Sequence, residues 1–270
     1  MKVLVVGASG MAGVAVSKYF ETQNMQVIRV TRKDFDISRD PFEKFMGLAE
    51  NVDFVVNCAG VIKPLISQTK PEDVLKVNIV FPQNLAKFCE KHAVPCFHLT
   101  TDCVYSGKKG NYQESDYFDA EDVYGMSKNG GEPRNCMTLR TSIIGEERGQ
   151  GRSLIAWAMS QSHQTVNGFL NHNWNGVTTL CFAQAVHQII KKGLYKQGLF
   201  HLHSPGTVSK YELLNILNEV YGLNLEVKPI EAPESCDRSL SSQSNFSSEL
   251  VKKDIKAQVA ELRSFFRENF

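Results

Sequence analysis

Lys2-Val3-Leu4-Val5-Val6 runs without a break into Gly7-Ala8-Ser9-Gly10-Met11-Ala12-Gly13. The first five positions, mostly β-branched, read as a short strand buried on both faces. The periodicity that follows predicts a helix over about Met11 to Gln23. Glycines at a strand-to-helix join permit a tight turn and let backbone N–H groups approach a pyrophosphate, which the helix N-terminus also attracts. Gly7, Ser9, Gly10, Met11 and Gly13 are therefore expected to hold a dinucleotide. The same glycines away from such a join would mark only a turn.

The rhythm of this opening repeats along the chain. Strands are expected at Gln26 to Thr31, Asp53 to Asn57, Cys96 to Thr100 and Cys136 to Arg140, with helices at Glu72 to His92 and Ala120 to Pro133. Strands alternating with helices imply a doubly wound, parallel α/β sheet of the Rossmann type. Beyond about Gly145 the pattern loosens. Helices are expected near Ser153 to Ser160, Leu180 to Lys192 and Ser209 to Tyr221, the last opened by the capping box Ser209-Lys210-Tyr211-Glu212. Short apolar runs, Leu199 to Leu202 and Leu225 to Val227, separate them. The reading is a dinucleotide-binding domain over 1–145, then a substrate-binding lobe over 146–270 with some segments returning to the sheet. The Ser-rich stretch from Ser235 to Ser248 has the composition of a flexible loop.

A chain of 270 residues buries enough surface to need no metal or disulfide staple. Its formal net charge of +1 supplies no basic excess for nucleic acid and no acidic tail. Neither an export leader nor a membrane-length apolar run is visible, so a cytoplasmic protein that avoids the membrane is expected. Seven cysteines at irregular intervals fit reduced thiols better than a disulfide framework. His201 and His203 would share one face of a strand, but no third ligand accompanies them and no metal is expected. Trp157 and Trp174 either stack on a base or sugar or fill a core.

Four positions carry the chemistry. The second strand ends Thr31-Arg32-Lys33, without the acid that would bond a ribose 2′-hydroxyl. Arg32 offers a planar fork for a 2′-phosphate, which favours NADPH, with NADH as the alternative. The competing reading is of solvated loop charges, since Asp34 and Asp36 lie close by. Tyr124 and Lys128, four apart in Tyr124-Gly125-Met126-Ser127-Lys128, would share a helix face. An ammonium beside a phenol favours the phenolate and brings its pKa toward working range, while the lysine can also bond the nicotinamide ribose. Tyr105 and Lys109 repeat the spacing, but Ser106-Gly107-Lys108 between them is loop-like. Thr101, in Thr100-Thr101-Asp102, ends an apolar strand at the ligand-binding edge and is the choice to hold a substrate carbonyl.

Taken together, Gly7 to Gly13, Asn57-Cys58-Ala59-Gly60, Thr100 to Gly107, Tyr124 to Lys128, Leu139-Arg140-Thr141, Gly198 to Leu202 and Arg238-Ser239-Leu240-Ser241-Ser242 resemble the extended short-chain dehydrogenases. Among these the nearest likeness is to the dTDP-4-dehydrorhamnose reductases. The resemblance implies reduction of the 4-keto group of a nucleotide-diphosphate sugar. Thr101 would bond the keto oxygen, Tyr124 would donate the proton, and Lys128 would bond the ribose and hold Tyr124 acidic. Asp36 and Ile37 would flank the adenine, and Gly60, Val61 and Ile62 would lie against the cofactor. Asp102 and Cys103 would border the sugar, and Arg238 would grip the diphosphate. A homodimer is an open expectation.

Two departures shape this reading. Cys103 stands where dehydratases of this fold carry a second acid, which favours simple reduction. Ile143 stands where rhamnose-forming reductases carry an aromatic contact. Cys103 also matches the epimerase cysteine of GDP-fucose synthases, so an epimerase-reductase is an alternative, with His163 or His172 as second proton donor. A non-catalytic subunit, like the regulatory subunit of methionine adenosyltransferase, is another. Retention of Thr101, Tyr124 and Lys128 argues against it.

Overall fold

The computed structural model describes residues 1–147 and 151–270. Its centre is a six-stranded sheet, parallel throughout, built from β1 (Lys2–Val6), β2 (Gln26–Val30), β3 (Phe54–Asn57), β4 (Cys96–Thr101), β5 (Met137–Thr141) and, after four short strands elsewhere, β10 (Gly198–His201). The order across the sheet is β10-β5-β4-β3-β1-β2. Direction of winding therefore reverses between β1 and β3, and the crevice at such a switch is where α/β sheets bind ligands.

Strand periodicity explains the two-sided core. Val3 and Val5 face a cluster with Phe54, Val56, Phe97 and Leu139, covered by α1 (Met11–Thr22) and by Phe182, Val186 and Ile189 of the later helix α7 (Thr179–Lys191). Leu4 and Val6 point the other way, toward Val55, Phe45 of α2 (Phe42–Leu48), and Phe81 and Leu85 of α4 (Phe81–Lys91). A strand with both faces buried reads as continuous apolar sequence, which is what Val3 to Val6 show.

The helix expected over Glu72 to His92 spans α3 (Pro71–Leu75), a π turn (Lys76–Val80) and α4. Pro82 lacks the N–H that would reach the Asn78 carbonyl four residues back, so the ladder loosens there. Gly131 lies against that carbonyl so closely that a Cβ would fall 1.7 Å from the Asn78 oxygen. Helix α5 (Val123–Gly130) is thereby seated on the kink, capped by Asp122, which accepts from the Gly125 N–H at 2.9 Å.

The remaining elements form a second core. α6 (Leu154–Ser160), α8 (Lys210–Tyr221) and α10 (Ile255–Asn269) gather Ile155, Leu213, Leu217, Val259, Leu262 and Phe266. Short ladders edge this lobe: β6 (Ile143–Ile144) pairs with β9 (Val177–Thr178), β7 (Thr165–Phe169) with β12 (Glu226–Ile230), and β8 (His172–Trp174) with β11 (Val208–Ser209) and β13 (Cys236–Asp237). The Ser-rich stretch is not the loose loop its composition suggests. Through β13 and α9 (Phe246–Leu250) it forms a strap in which Ser239, Leu240 and Ser247 are buried. Its serines are occupied as hydrogen-bond partners: Tyr112 N–H donates to the Ser239 carbonyl, and Ser241 N–H donates back to Tyr112. Among the described residues, no helix is long and apolar enough to cross a membrane.

Candidate active site

Val6 and Asn57 lie side by side at the C-terminal ends of β1 and β3, and the glycine turn leaves from this point. Gly7 adopts φ +73°, and a Cβ there would sit 2.8 Å from the Ala59 backbone; on Gly13 it would sit 2.2 Å from the Gly7 carbonyl. Both N–H groups of Gly7 and Ala8 donate to the Val30 carbonyl, leaving Ser9 and Gly10 exposed at the start of α1. That helix has no side-chain cap and no acid in its first turn. An uncapped helix start, a cradle with no room for Cβ atoms and an open mouth fit a dinucleotide pyrophosphate.

At the end of β2 the two nearby acids are occupied locally. Asp34 accepts from the Thr31 N–H and hydroxyl at 2.9 and 2.7 Å, and Asp36 accepts from the Ser38 N–H and hydroxyl at 3.0 and 2.7 Å. Arg32 is exposed and makes no hydrogen bond among the described residues, so it is the group at liberty to meet a 2′-phosphate. Ile37 packs with Val61, Val74 and Val77, joining the proposed adenine edge to the Gly60–Ile62 loop. Asn78, which sequence reasoning missed, pins that loop: it accepts from Val61 N–H at 2.8 Å and donates to the Val61 carbonyl and the Ser127 hydroxyl. Ile62 stays exposed.

Thr101, Tyr124 and Lys128 come together beyond β4. The Thr101 hydroxyl donates to Asp102 Oδ1 at 3.2 Å and accepts from the Cys103 N–H at 3.1 Å, and Gly125, next to Tyr124, packs so close to the Cys103 carbonyl that a Cβ there would fall 2.3 Å from it. One turn after Tyr124, the Lys128 ammonium donates to the Leu99 carbonyl at 3.2 Å. Burial lowers Lys128 to about 8, with Glu132 and then Cys58 opposing. The lowering expected for the phenol is not what its surroundings produce: burial, then Cys103, pushes Tyr124 above its ordinary range. Desolvation and the neighbouring acidic groups outweigh the opposing Thr101 hydroxyl and favour the protonated phenol. Tyr105 is a different object, buried and stacked on Tyr112 at 4.1 Å, while Lys109 pairs with Asp116.

The substrate side is ringed by charge. Asp102 is buried, and burial raises its carboxyl against the pull of Arg238 and Lys210. Burial, then Asp102, raises the Cys103 thiol to about 12. Arg238 is aimed by donating to the carbonyls of Tyr105 (2.8 Å) and Ser106 (3.1 Å). Lys210, the first residue of α8, holds its ammonium 5.4 Å over the Trp174 ring, beside Asp102 and Cys103. It stood inside the capping box but carried no sign of this role in sequence. Trp157 is 41% exposed and Trp174 is buried. His163 is exposed with φ 63°, and His172 meets the Glu234 carbonyl. His203 lies past the end of β10, so it does not share a strand face with His201. Cavities of about 420 and 320 Å³ open against α6 and beside Ile37, and neither is lined by Thr101, Tyr124 or Lys128.

Comparisons with known proteins bear on the family and the fold. The dTDP-4-keto-6-deoxy-D-glucose reductase of Streptomyces niveus is 26% identical over 237 residues, covering 84% of this chain and 81% of that one. The methionine adenosyltransferase 2 subunit beta of Pongo abelii is 26% identical over 257 residues, covering 85% and 75%. The crystal structure of dTDP-4-dehydrorhamnose reductase from Bacillus anthracis str. Ames in complex with NADP superposes with a TM-score of 0.81 at 16% identity, over 100% of this chain and 99% of that one. The RmlD substrate binding domain family matches residues 1–269, from the strand ahead of the glycine turn to the end of α10, and the chain belongs to that family.

Proposed function

We propose that the protein reduces the 4-keto group of a nucleotide-activated 6-deoxy sugar with NADPH, in the synthesis of a surface polysaccharide or another deoxysugar product. The observation that carries this reading is the packing of α5 against the end of β4, with Tyr124 beside the Thr101–Cys103 turn and Lys128, one helical turn on, bonded to the Leu99 carbonyl at the ligand-binding edge of the sheet. The names of the relatives, and the NADP held by the Bacillus anthracis structure, support it. NADPH held by Gly7 to Gly13 and Arg32 supplies the hydride.

The chain's own residues do the rest. Thr101 orients the keto oxygen, and Tyr124, kept neutral by burial, holds the proton that this oxygen needs when the carbon is reduced. Lys128 bonds the ribose. Arg238 and Lys210 supply positive charge for the diphosphate. A Cys103 thiol raised to about 12 by burial and Asp102 disfavours the thiolate that an epimerase base requires, so plain reduction is preferred to the epimerase-reductase. The test is absorbance-monitored NADPH oxidation with dTDP-, UDP- and GDP-4-keto-6-deoxy sugars, NADH serving as comparison. Turnover of one sugar is the expected result. NADPH binding without turnover of any would overturn the reading in favour of a regulatory subunit.

A further inference from the structure

Behind the Thr101–Tyr124–Lys128 face lies a second set of polar groups shut inside the molecule. Glu132, just past α5, and Arg140 on β5 form an ion pair with side chains only 3% and 2% exposed. Arg140 donates from Nε and Nη2 to the two carboxylate oxygens at 3.0 and 2.5 Å, and the Thr100 hydroxyl donates to Oε1 at 3.1 Å. Arg140 Nη1 reaches the Tyr105 hydroxyl at 2.5 Å and His201 Nε2 at 3.1 Å. The His201 Nδ1 faces the carbonyls of Tyr112 and Ser241 at 3.1 and 2.8 Å. Carbonyls only accept, so Nδ1 carries the proton, Nε2 accepts from Arg140, and the ring is neutral.

The charge count around Lys128 then follows. Its ammonium is buried and bonds the Leu99 carbonyl, with no carboxylate within ion-pair distance among the described residues. Cys58 at the end of β3, His98 on β4 and Tyr124 on α5 also act on this region. Burial raises Cys58 to about 12, burial and then Lys128 keep His98 unprotonated, and burial keeps Tyr124 protonated. All three are neutral. Glu132 lies four residues after Lys128, and its partner Thr100 is the neighbour on β4 of Leu99, whose carbonyl the ammonium bonds, so the Glu132 carboxylate is the first charge that favours the Lys128 cation.

We propose that Glu132 is a positioning residue whose carboxylate, fixed by Arg140 and Thr100, keeps Lys128 charged in the site. The proposal rests on the reading of Lys128 as the lysine of a reductase. Burial already lowers Lys128, and Glu132 is the first of the groups that oppose it, so without that carboxylate the ammonium gives up its proton more readily.

The experiment is the pH dependence of Lys128 acylation, followed by mass spectrometry on the whole folded protein, beside the pH profile of kcat/KM. In Glu132→Gln the labelling midpoint falls by about one pH unit or more, a tenfold loss in proton affinity, and the alkaline limb of kcat/KM moves down with it. Glu132→Asp, which keeps the charge, restores both. Should Glu132→Gln fail to fold, the double variant Glu132→Gln, Arg140→Met, which leaves no orphaned charge, shows the same direction of shift. An unmoved midpoint in whichever of the two folds overturns the proposal. Labelling needs no substrate, so a midpoint that shifts in a protein turning over no keto sugar defeats the reductase reading while upholding the charge role of Glu132.

Discussion

At the scale of single residues, the site divides into groups whose chemistry is local and groups whose chemistry is imposed. Tyr124 is imposed on: burial, then Cys103, pushes its phenol above the ordinary range. Tyr124→Phe removes the proton and is expected to lower kcat by roughly 10²- to 10⁴-fold with the Kd for NADPH little changed, read by stopped-flow turnover and fluorescence titration. Retained turnover would reject Tyr124 as the donor. Arg32 is local and exposed, its charge felt by Asp36 but held by no hydrogen bond among the described residues. Arg32→Ala is expected to reduce the preference for NADPH over NADH by at least about tenfold, the size of one lost charge-assisted hydrogen bond. An unchanged ratio of the two kcat/KM values would return Arg32 to the role of a solvated charge.

At the scale of elements, the glycine turn makes a graded prediction. A Cβ on Gly13 meets the Gly7 carbonyl at 2.2 Å, and backbone cannot step aside, whereas one on Gly10 comes no nearer than 3.4 Å. Gly13→Ala is therefore expected to cost about 1–3 kcal/mol of stability and to weaken NADPH binding, with Gly10→Ala milder in stability. Equal denaturant midpoints for the two variants would contradict the close packing of α1 on β1. The strap offers a contrast. Gly107 (φ +91°) and Gly110 (φ +73°) leave room for Cys236 and Asp237, which would otherwise lie 2.6 Å from a Cβ. Helix α10 went unread in the sequence although its signal was present. Ile255, Val259, Leu262 and Phe266 recur at helical spacing behind the cap Asp254.

For the whole molecule, the neutral buried histidines link folding to pH. His201 is lowered from 6.5 to about 4, first by burial and then by Arg140, and burial and Lys128 lower His98 as well. A histidine whose folded pKa is depressed contributes its full stability above the unfolded value near 6.5. That contribution shrinks as pH falls from 6.5 toward 4, because the unfolded chain takes up the proton first. For His201 the loss is on the order of 3 kcal/mol. Asp102, raised by burial, works in the opposite sense. Urea unfolding at pH 7.5 and pH 5 is expected to show a lower midpoint at pH 5 with an unchanged slope; a flat profile would mean that His201 is solvated or charged.

The parts legible from residue order alone were those settled by near neighbours along the chain. The β1-turn-α1 unit, the alternation that makes a parallel sheet, the lack of an acid at the very end of β2 and the Tyr124–Lys128 spacing all follow from residue order over a few positions. Burial and pairing act through space and belong to the folded chain. Arg140 and His201 are 61 positions apart in Arg140–His201 contact, Lys210 meets Trp174 across the lobe, and the serines after Ser235 find partners around Tyr112. An ionisable side chain has no fixed character until its solvent is removed and its counter-charge is in place. Only the folded chain could therefore show that burial pushes Tyr124 toward its protonated form, that Glu132 is held by Arg140 and Thr100, and that a Ser-rich segment is a strap.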